Sequence, residues 1–269
     1  MIPTEISCKL YGIQKSTDMK KVSNISRTLI INSYEGFYYK KIGKNNTLKE
    51  ILKIYSNNNL LRIVKSLAKI IKVEILNEST HDFKPFGSSA SLLVQSNLEN
   101  NNGVLHLKES HITFHTYIED ILENFYVIRL EIHICSCSDE DVFNVLPHIF
   151  SEEHNNLKIN SHLILIDYLK RGTAFDLAGN ILVEQRKLDN SIFKKSFGKK
   201  YIKIIPNDHK NHQQYGIYMM KKFIHEKLNS YSVSPIPQSE ILKYDNFLIK
   251  GYLNDNFKIN NLEEADCTG

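Results

Sequence analysis

Apolar residues recur at three- and four-residue spacing early in the chain. Leu60, Leu61, Val64, Leu67, Ala68 and Ile71 fall on one stripe, which predicts a helix over residues 60–71 with that stripe on a core. Residues 48–55 repeat the spacing. Short apolar and aromatic runs at 29–32 and around Tyr38 flank Gly36, and the runs at 73–76 and 91–95 read as strands. A loop through Pro85 and Gly87 separates those two strands, and residues 97–103 form a polar turn. The pattern then changes period. From Ser110 to Tyr117, Ile112 and Phe114 alternate with His111, Thr113 and His115, which is the two-residue repeat of a strand. Residues 125–137 alternate in the same way. Residues 139–150 read as a helix with an acidic first turn, favourable for its dipole. Residues 162–169 form a further strand, closed by Arg171 and Gly172. Beyond Gly172 the pattern weakens to a helix over 215–228 and a polar tail over 254–269. Strands followed by helices, repeated, predict an α+β fold: a two-layer sandwich with helices packed on one face of a mainly antiparallel β-sheet.

Composition narrows the class. A chain of 269 residues with 42% hydrophobic and 24% charged residues is that of an ordinary globular protein. The formal charge, 34 basic minus 30 acidic residues or +4, is spread along the chain, whereas a nucleic-acid binder concentrates its basic residues. The densest cluster, Lys194, Lys195, Lys199 and Lys200, reads as a solvated loop. No stretch is long and apolar enough to predict a membrane span. Residues 1–10 carry Glu5 and Lys9 and lack the apolar run of a secretory signal. Cys8, Cys135, Cys137 and Cys267 form no regular framework, so the expectation is a reduced, cytoplasmic protein with free thiols.

Three short segments carry candidate chemistry: Pro85-Phe86-Gly87-Ser88-Ser89, Glu109 to Tyr117, and Cys135-Ser136-Cys137. Each is weak alone, because a strand histidine is more often a satisfied polar residue than a catalyst. Zinc is disfavoured. His111 and His115 are four apart on a strand, about 13 Å at ~3.3 Å per residue, too far to share one ion. Cys135 and Cys137 lack the spacing of a zinc knuckle.

Taken together, the three segments resemble the bacterial S-adenosylmethionine decarboxylases. Residues 107–117 are similar to the processing-site signature, Phe83 to Ser91 to the aromatic–Gly–x–Ser loop, and Arg129 to Cys137 to the strand that ends in the catalytic cysteine. The likeness runs into Asp167 and Arg171-Gly172. With Lys9-Leu10-Tyr11-Gly12 and the chain length, it favours the long, enterobacterial-like form. It implies a pyruvoyl-dependent core over residues 1–179 and a C-terminal extension over 180–269.

The resemblance also implies a chemistry. The Ser110 hydroxyl attacks the Glu109 carbonyl to give an ester. β-Elimination and hydrolysis then leave a β chain ending in Glu109 and an α chain that begins with a pyruvoyl group. That ketone forms a Schiff base with the substrate amine and withdraws electrons as CO₂ leaves. By the same resemblance His115 is the processing base, Ser89 stabilises the adduct, and Cys137 is the proton donor, chosen over Cys135 by alignment. Phe83 stacks on adenine and Glu119 binds the ribose hydroxyls, although Ile118 stands where the family has proline. Tyr117 is a candidate neighbour of the sulfonium. A homo-oligomer of cleaved protomers is expected, and Mg²⁺ is an expected activator. The expected product is the aminopropyl donor for spermidine synthesis. Alternatives that stay open are a pyruvoyl-dependent arginine or ornithine decarboxylase, and a non-catalytic partner subunit.

Overall fold

The computed structural model describes residues 21–23, 25–83, 87–96, 110–138, 140–151, 159–176, 178–182, 188–204, 215–222 and 236–252. In chain order these form β1 (Lys21–Ser23), β2 (Ser26–Tyr38), α1 (Lys44–Ile54), α2 (Asn57–Ile70), β3 (Val73–Asp82), β4 (Ser88–Ser96), β5 (Ser110–Leu122) and β6 (Phe125–Ser136). A 3-10 turn over Val142–Val145 leads into α3 (Leu146–Phe150). Then come β7 (Leu163–Arg171), β8 (Ala174–Asp176), β9 (Ile181–Leu182), α4 (Asn190–Phe197), β10 (Tyr201–Ile204), β11 (Tyr215–Lys222) and α5 (Gln238–Tyr252). Eight strands make one sheet in the order β10-β11-β7-β2-β6-β5-β4-β3, and every neighbouring pair in it is antiparallel. β1, β8 and β9 form a small second sheet.

Two-residue alternation gives the large sheet two unlike faces. Leu29 and Ile31 of β2, Ile112 and Phe114 of β5, and Ile132 and Ile134 of β6 are buried in one cluster with Ile51 of α1, Leu60, Val64 and Leu67 of α2, and Ile149 of α3. Each such side chain contributes about 1.5–3 kcal/mol when fully buried. This is the expected two-layer core. The opposite face is covered at one end by α5, where Ile241, Tyr244 and Leu248 pack on Tyr34, Tyr38, Phe125 and Leu163. That contact needs Gly36, because a Cβ there would lie 2.3 Å from the Tyr244 ring.

Several sequence expectations change. The two runs around Gly36 are one 13-residue strand, β2, paired along its length with β6. Residues 215–222 are a strand and not a helix: β11 pairs with β7 from Tyr215↔Leu169 to Lys221↔Leu163. Its alternation of Met219 and Met220 between the two faces is satisfied by the sheet, which a short window read as helical spacing could not reveal. Lys194 and Lys195 belong to the last turn of α4, where cations favour the helix dipole, and not to a loop. Asp189 caps that helix by accepting the Ile192 N–H at 2.8 Å. The expected helix over 139–150 is shorter and begins as 3-10, capped by the Asp141 carboxylate on the Phe143 N–H. The segment after residue 180 adds β10 and β11 to the main sheet and α5 to its open face.

Candidate active site

β5 and β6 are joined through Glu123 and Asn124, with Leu122 opposite Phe125. Asn124 takes φ 74°, a left-handed conformation that asparagine tolerates better than most residues. The register set by this hairpin runs Tyr117↔Arg129, His115↔Glu131, Thr113↔His133 and His111↔Cys135. All eight side chains lie on the face opposite the helices. On β4, Ser89 stands opposite His115, and His81 of β3 stands opposite Ser89.

Ser110 belongs to the other face. It is 1% exposed, at the start of β5, and points the same way as Ile112 and Phe114. Ser110 precedes the first rung of the β5–β6 ladder, His111↔Cys135, and Ser136, which follows Cys135, is opposite Arg27 of β2. The chain turns just after Ser136. The Cys137 N–H donates to the Ser110 Oγ at 3.2 Å, while the Ser138 N–H donates to the Ser136 Oγ at 3.1 Å. The Ser136 hydroxyl is 2.9 Å from the Ser138 hydroxyl. Burial pushes the Cys137 thiol up, opposed by its hydrogen bond with Ser110 and by the positive charge of Arg27. Cys135 faces away from Ser110, and its sulfur accepts from the Thr28 hydroxyl at 3.9 Å.

The fold therefore makes two groups from the candidate residues. Ser110 and Cys137 are together on the helix side, and Ser89 and His115 are together on the open side. Within one chain it does not bring His115 to Ser110. Five residues of strand separate their backbones by about 16 Å, and odd spacing points the side chains to opposite faces.

The open face carries the remaining candidates. Tyr117 is stacked on His115 with ring centroids 6.4 Å apart, and the Arg129 guanidinium lies 4.1 Å from the Tyr117 ring centre. Arg129 thus occupies one face of the ring suggested for a sulfonium. Arg129 also hydrogen-bonds Tyr34. The His133 Nε2 is 2.9 Å from the Glu131 Oε1. Burial lowers the His111 pKa, helped by the nearby His133. Glu119 lies two residues beyond Tyr117 on this face, opposite Val127. Phe83 is 45% exposed, and its N–H donates to the Gly87 carbonyl at 2.8 Å. Gly87 has φ +130°, and a Cβ there would sit 2.8 Å from the Thr116 carbonyl oxygen, so the turn after Phe83 requires glycine. Glu109, Pro85, Phe86, and the N-terminal Lys9 to Gly12 lie outside the described residues.

No three His, Cys, Asp or Glu side chains among the described residues are grouped to hold a metal ion.

Residues 49–161 match the model of the S-adenosylmethionine decarboxylase family, a span that contains Ser89, Ser110, His115 and Cys137. Over that span, less than half of the chain, the sequence is similar to the family. It is 26% identical over 209 residues to an S-adenosylmethionine decarboxylase proenzyme of Clostridium botulinum, covering 70% of this chain and 71% of that one. It is 25% identical over 213 residues to the proenzyme of Alkaliphilus oremlandii, covering 69% and 77%. The proenzyme of Pseudomonas syringae pv. syringae is 27% identical over 173 residues, covering 58% of this chain and 63% of that relative. The crystal structure of the adenosylmethionine decarboxylase from Aquifex aeolicus superposes with a TM-score of 0.31 at 13% identity, covering 61% of this chain and 96% of that one, too loose a likeness to argue from. No helix among the described residues is long and apolar enough to cross a membrane.

Buried ionisable groups escaped the sequence reading. Glu35 on β2 accepts from the Tyr55 hydroxyl at 2.7 Å and the Asn160 N–H at 2.9 Å, and burial raises its pKa to about 7. His162 is also fully buried, receives the Gly36 N–H on Nδ1 at 3.2 Å, and is lowered by burial to about 3. Lys222 hydrogen-bonds Asn160 beside them. The lone acidic residue in an aromatic run, Glu35 within Ser33 to Tyr38, was the available signal.

Proposed function

We propose that this chain cleaves itself between Glu109 and Ser110 and then decarboxylates S-adenosylmethionine, releasing CO₂ and the decarboxylated aminopropyl donor of spermidine synthesis. The observation that carries the reading is the buried Ser110 hydroxyl, held at 3.2 Å by the Cys137 N–H beside the Cys137 thiol, in a span similar to this family.

Ser110 suits the origin of a pyruvoyl group. Its hydroxyl is shielded from water, and the N–H fixes the oxygen while leaving the hydroxyl proton free to be removed. In the proposed processing step the oxygen adds to the Glu109 carbonyl, the amide C–N bond breaks, and the released amine takes the proton. The pyruvoyl group supplies an electron-withdrawing carbonyl to the substrate amine. Cys137 then holds a proton next to that position. Its raised pKa keeps the thiol in the donor form at neutral pH.

Ser89 and His115 need another route to Ser110, and a homo-oligomer provides it. In this reading the open face of one protomer, with its Ser89 and His115, meets the end of the partner's sheet where β5 begins, and so reaches the Ser110 there. The open face supports this: it carries half-exposed polar side chains such as Thr113, His115, Glu131 and Asn32 together with Ile30 and Leu165, a mixture suited to an interface. Phe83, with its exposed ring, is assigned to the adenine and Glu119 to the ribose hydroxyls.

Denaturing mass analysis of the full chain tests the reading. Two fragments split before Ser110 are expected, the larger one blocked at its N-terminus. Ser110→Ala should give one uncut chain with decarboxylation reduced to background. A single intact chain that turns over S-adenosylmethionine would overturn the proposal.

A further inference from the structure

Arg27 is 1% exposed and ranks with the largest fully buried side chains described. It sits on β2 among apolar neighbours of the same face, Leu29 and Ile31, where a leucine or isoleucine continues the pattern. A guanidinium stays charged at any physiological pH, and burying it carries a large desolvation cost. Its position explains the cost. Arg27 is opposite Ser136, and the Cys137 N–H that follows reaches the Ser110 Oγ, so a buried guanidinium and two buried hydroxyls gather at the ends of three adjacent strands. Arg27 donates from Nη1 to the Ser138 carbonyl oxygen at 2.5 Å.

We propose that Arg27 is a positioning residue: by holding the Ser138 carbonyl it fixes the turn through Ser136, Cys137 and Ser138, and so aims the Cys137 N–H and thiol at Ser110. The inference rests on the proposed function for its consequence, but its geometry stands without it. The turn has no regular secondary structure beyond Ser136 to hold it. Two contacts fix it from inside, the Ser136–Ser138 hydroxyl pair and the Ser138 N–H on Ser136. Arg27 ties it from outside to the central strand of the sheet. Holding the Ser138 carbonyl also orients the residue that carries it, whose N–H donates to the Ser136 Oγ, and the Cys137 N–H on Ser110 lies one residue further upstream. The same charge lies close enough to favour the Cys137 thiolate. Arg27 therefore links the order of the turn to the acidity of its thiol.

The test uses the full-length chain as Arg27→Gln and Arg27→Lys, with two readouts. One is the rate of cleavage before Ser110, followed by intact mass. The other is the rate of alkylation of Cys137 by iodoacetamide as a function of pH, resolved from the other cysteines by peptide mapping. Arg27→Gln should slow cleavage at least tenfold and slow Cys137 alkylation about threefold to tenfold at a fixed pH below the thiol pKa. Arg27→Lys should keep the alkylation profile near wild type, because the charge remains, while cleaving more slowly than wild type because lysine lacks the planar fork. Wild-type cleavage and an unchanged Cys137 profile in a folded Arg27→Gln protein would overturn the inference. If that variant does not fold, wild-type cleavage in Arg27→Lys overturns it. If the unaltered chain is never cleaved, the proposed function fails, and the alkylation profile alone still decides the role of Arg27.

Discussion

Cys137 and Cys135 are two residues apart, yet their surroundings differ because the strand ends between them. Cys135 stays in the ladder opposite His111, on the open face. Cys137 lies past the last strand residue, where the turn brings its N–H to Ser110. Alternation alone gives both thiols the same side, so the distinction comes from the turn. Cys137→Ala should leave self-cleavage intact and lower decarboxylation by about two orders of magnitude, the range for a lost general acid. Cys135→Ala should change turnover little. Single-turnover kinetics on the two cleaved variants would check both outcomes. The pH profile carries a further sign. A proton donor must be in its thiol form, so activity falls as pH rises through the thiol pKa, and burial moves that fall above the ordinary thiol value.

Among elements, the meeting of β2 with the loop before β7 brings together two buried groups with opposite pH responses. Glu35 has its pKa raised from 4.5 to about 7 in the folded chain. The folded state then binds more protons than the unfolded chain between those values, so this group's contribution to stability is lost as pH rises through the window. His162 is lowered from 6.5 to about 3, so the unfolded chain binds more protons between those values, and its contribution is lost as pH falls. The two slopes oppose each other from about 4.5 to 6.5 and leave stability nearly flat there. Glu35→Gln keeps an acceptor for Tyr55 and Asn160 but no longer titrates. Its melting temperature should rise with pH across that interval where the wild type's does not, a gain of about 3 kcal/mol by neutral pH. Thermal melts of both proteins from pH 4.5 to 7.5 check the slope; a flat profile in the variant would remove Glu35 as the opposing group.

For the whole molecule the decisive fact is the separation of Ser110 from His115 by about 16 Å and by the thickness of the sheet. A protomer holds both halves of the proposed machinery without joining them. Mixing therefore gives a direct prediction. His115→Ala and Ser110→Ala proteins should each remain uncut alone. When coexpressed, the His115→Ala chain should be cleaved, because its intact Ser110 meets the His115 of its Ser110→Ala partner. Mass analysis distinguishes the two chains. No cleavage in the mixture would place both roles within one protomer.

Periodicity in the sequence was enough for α2, β5 and β6, because these elements bury one face against a single core and their residues repeat at the element's own spacing. The candidate site came instead from a resemblance, since the segments holding Ser89, Ser110, His115 and Cys137 follow the order of the S-adenosylmethionine decarboxylase motifs. Periodicity failed for β11, whose place next to the sheet's edge strand depends on pairing with β7 far along the chain, and for α5, whose cover over Gly36 depends on Tyr244. Arg27 and Glu35 were illegible for a related reason: a charged residue in a strand pattern reads as solvent-facing until the tertiary structure encloses it. What the sequence determined by itself was the repeat of each locally amphipathic element and the order of its reactive residues, both properties of neighbours along the chain. Which of those residues share a face, which charges are buried, and which half of the site each strand end supplies were decided only when distant segments paired, because register and burial are properties of contacts between them.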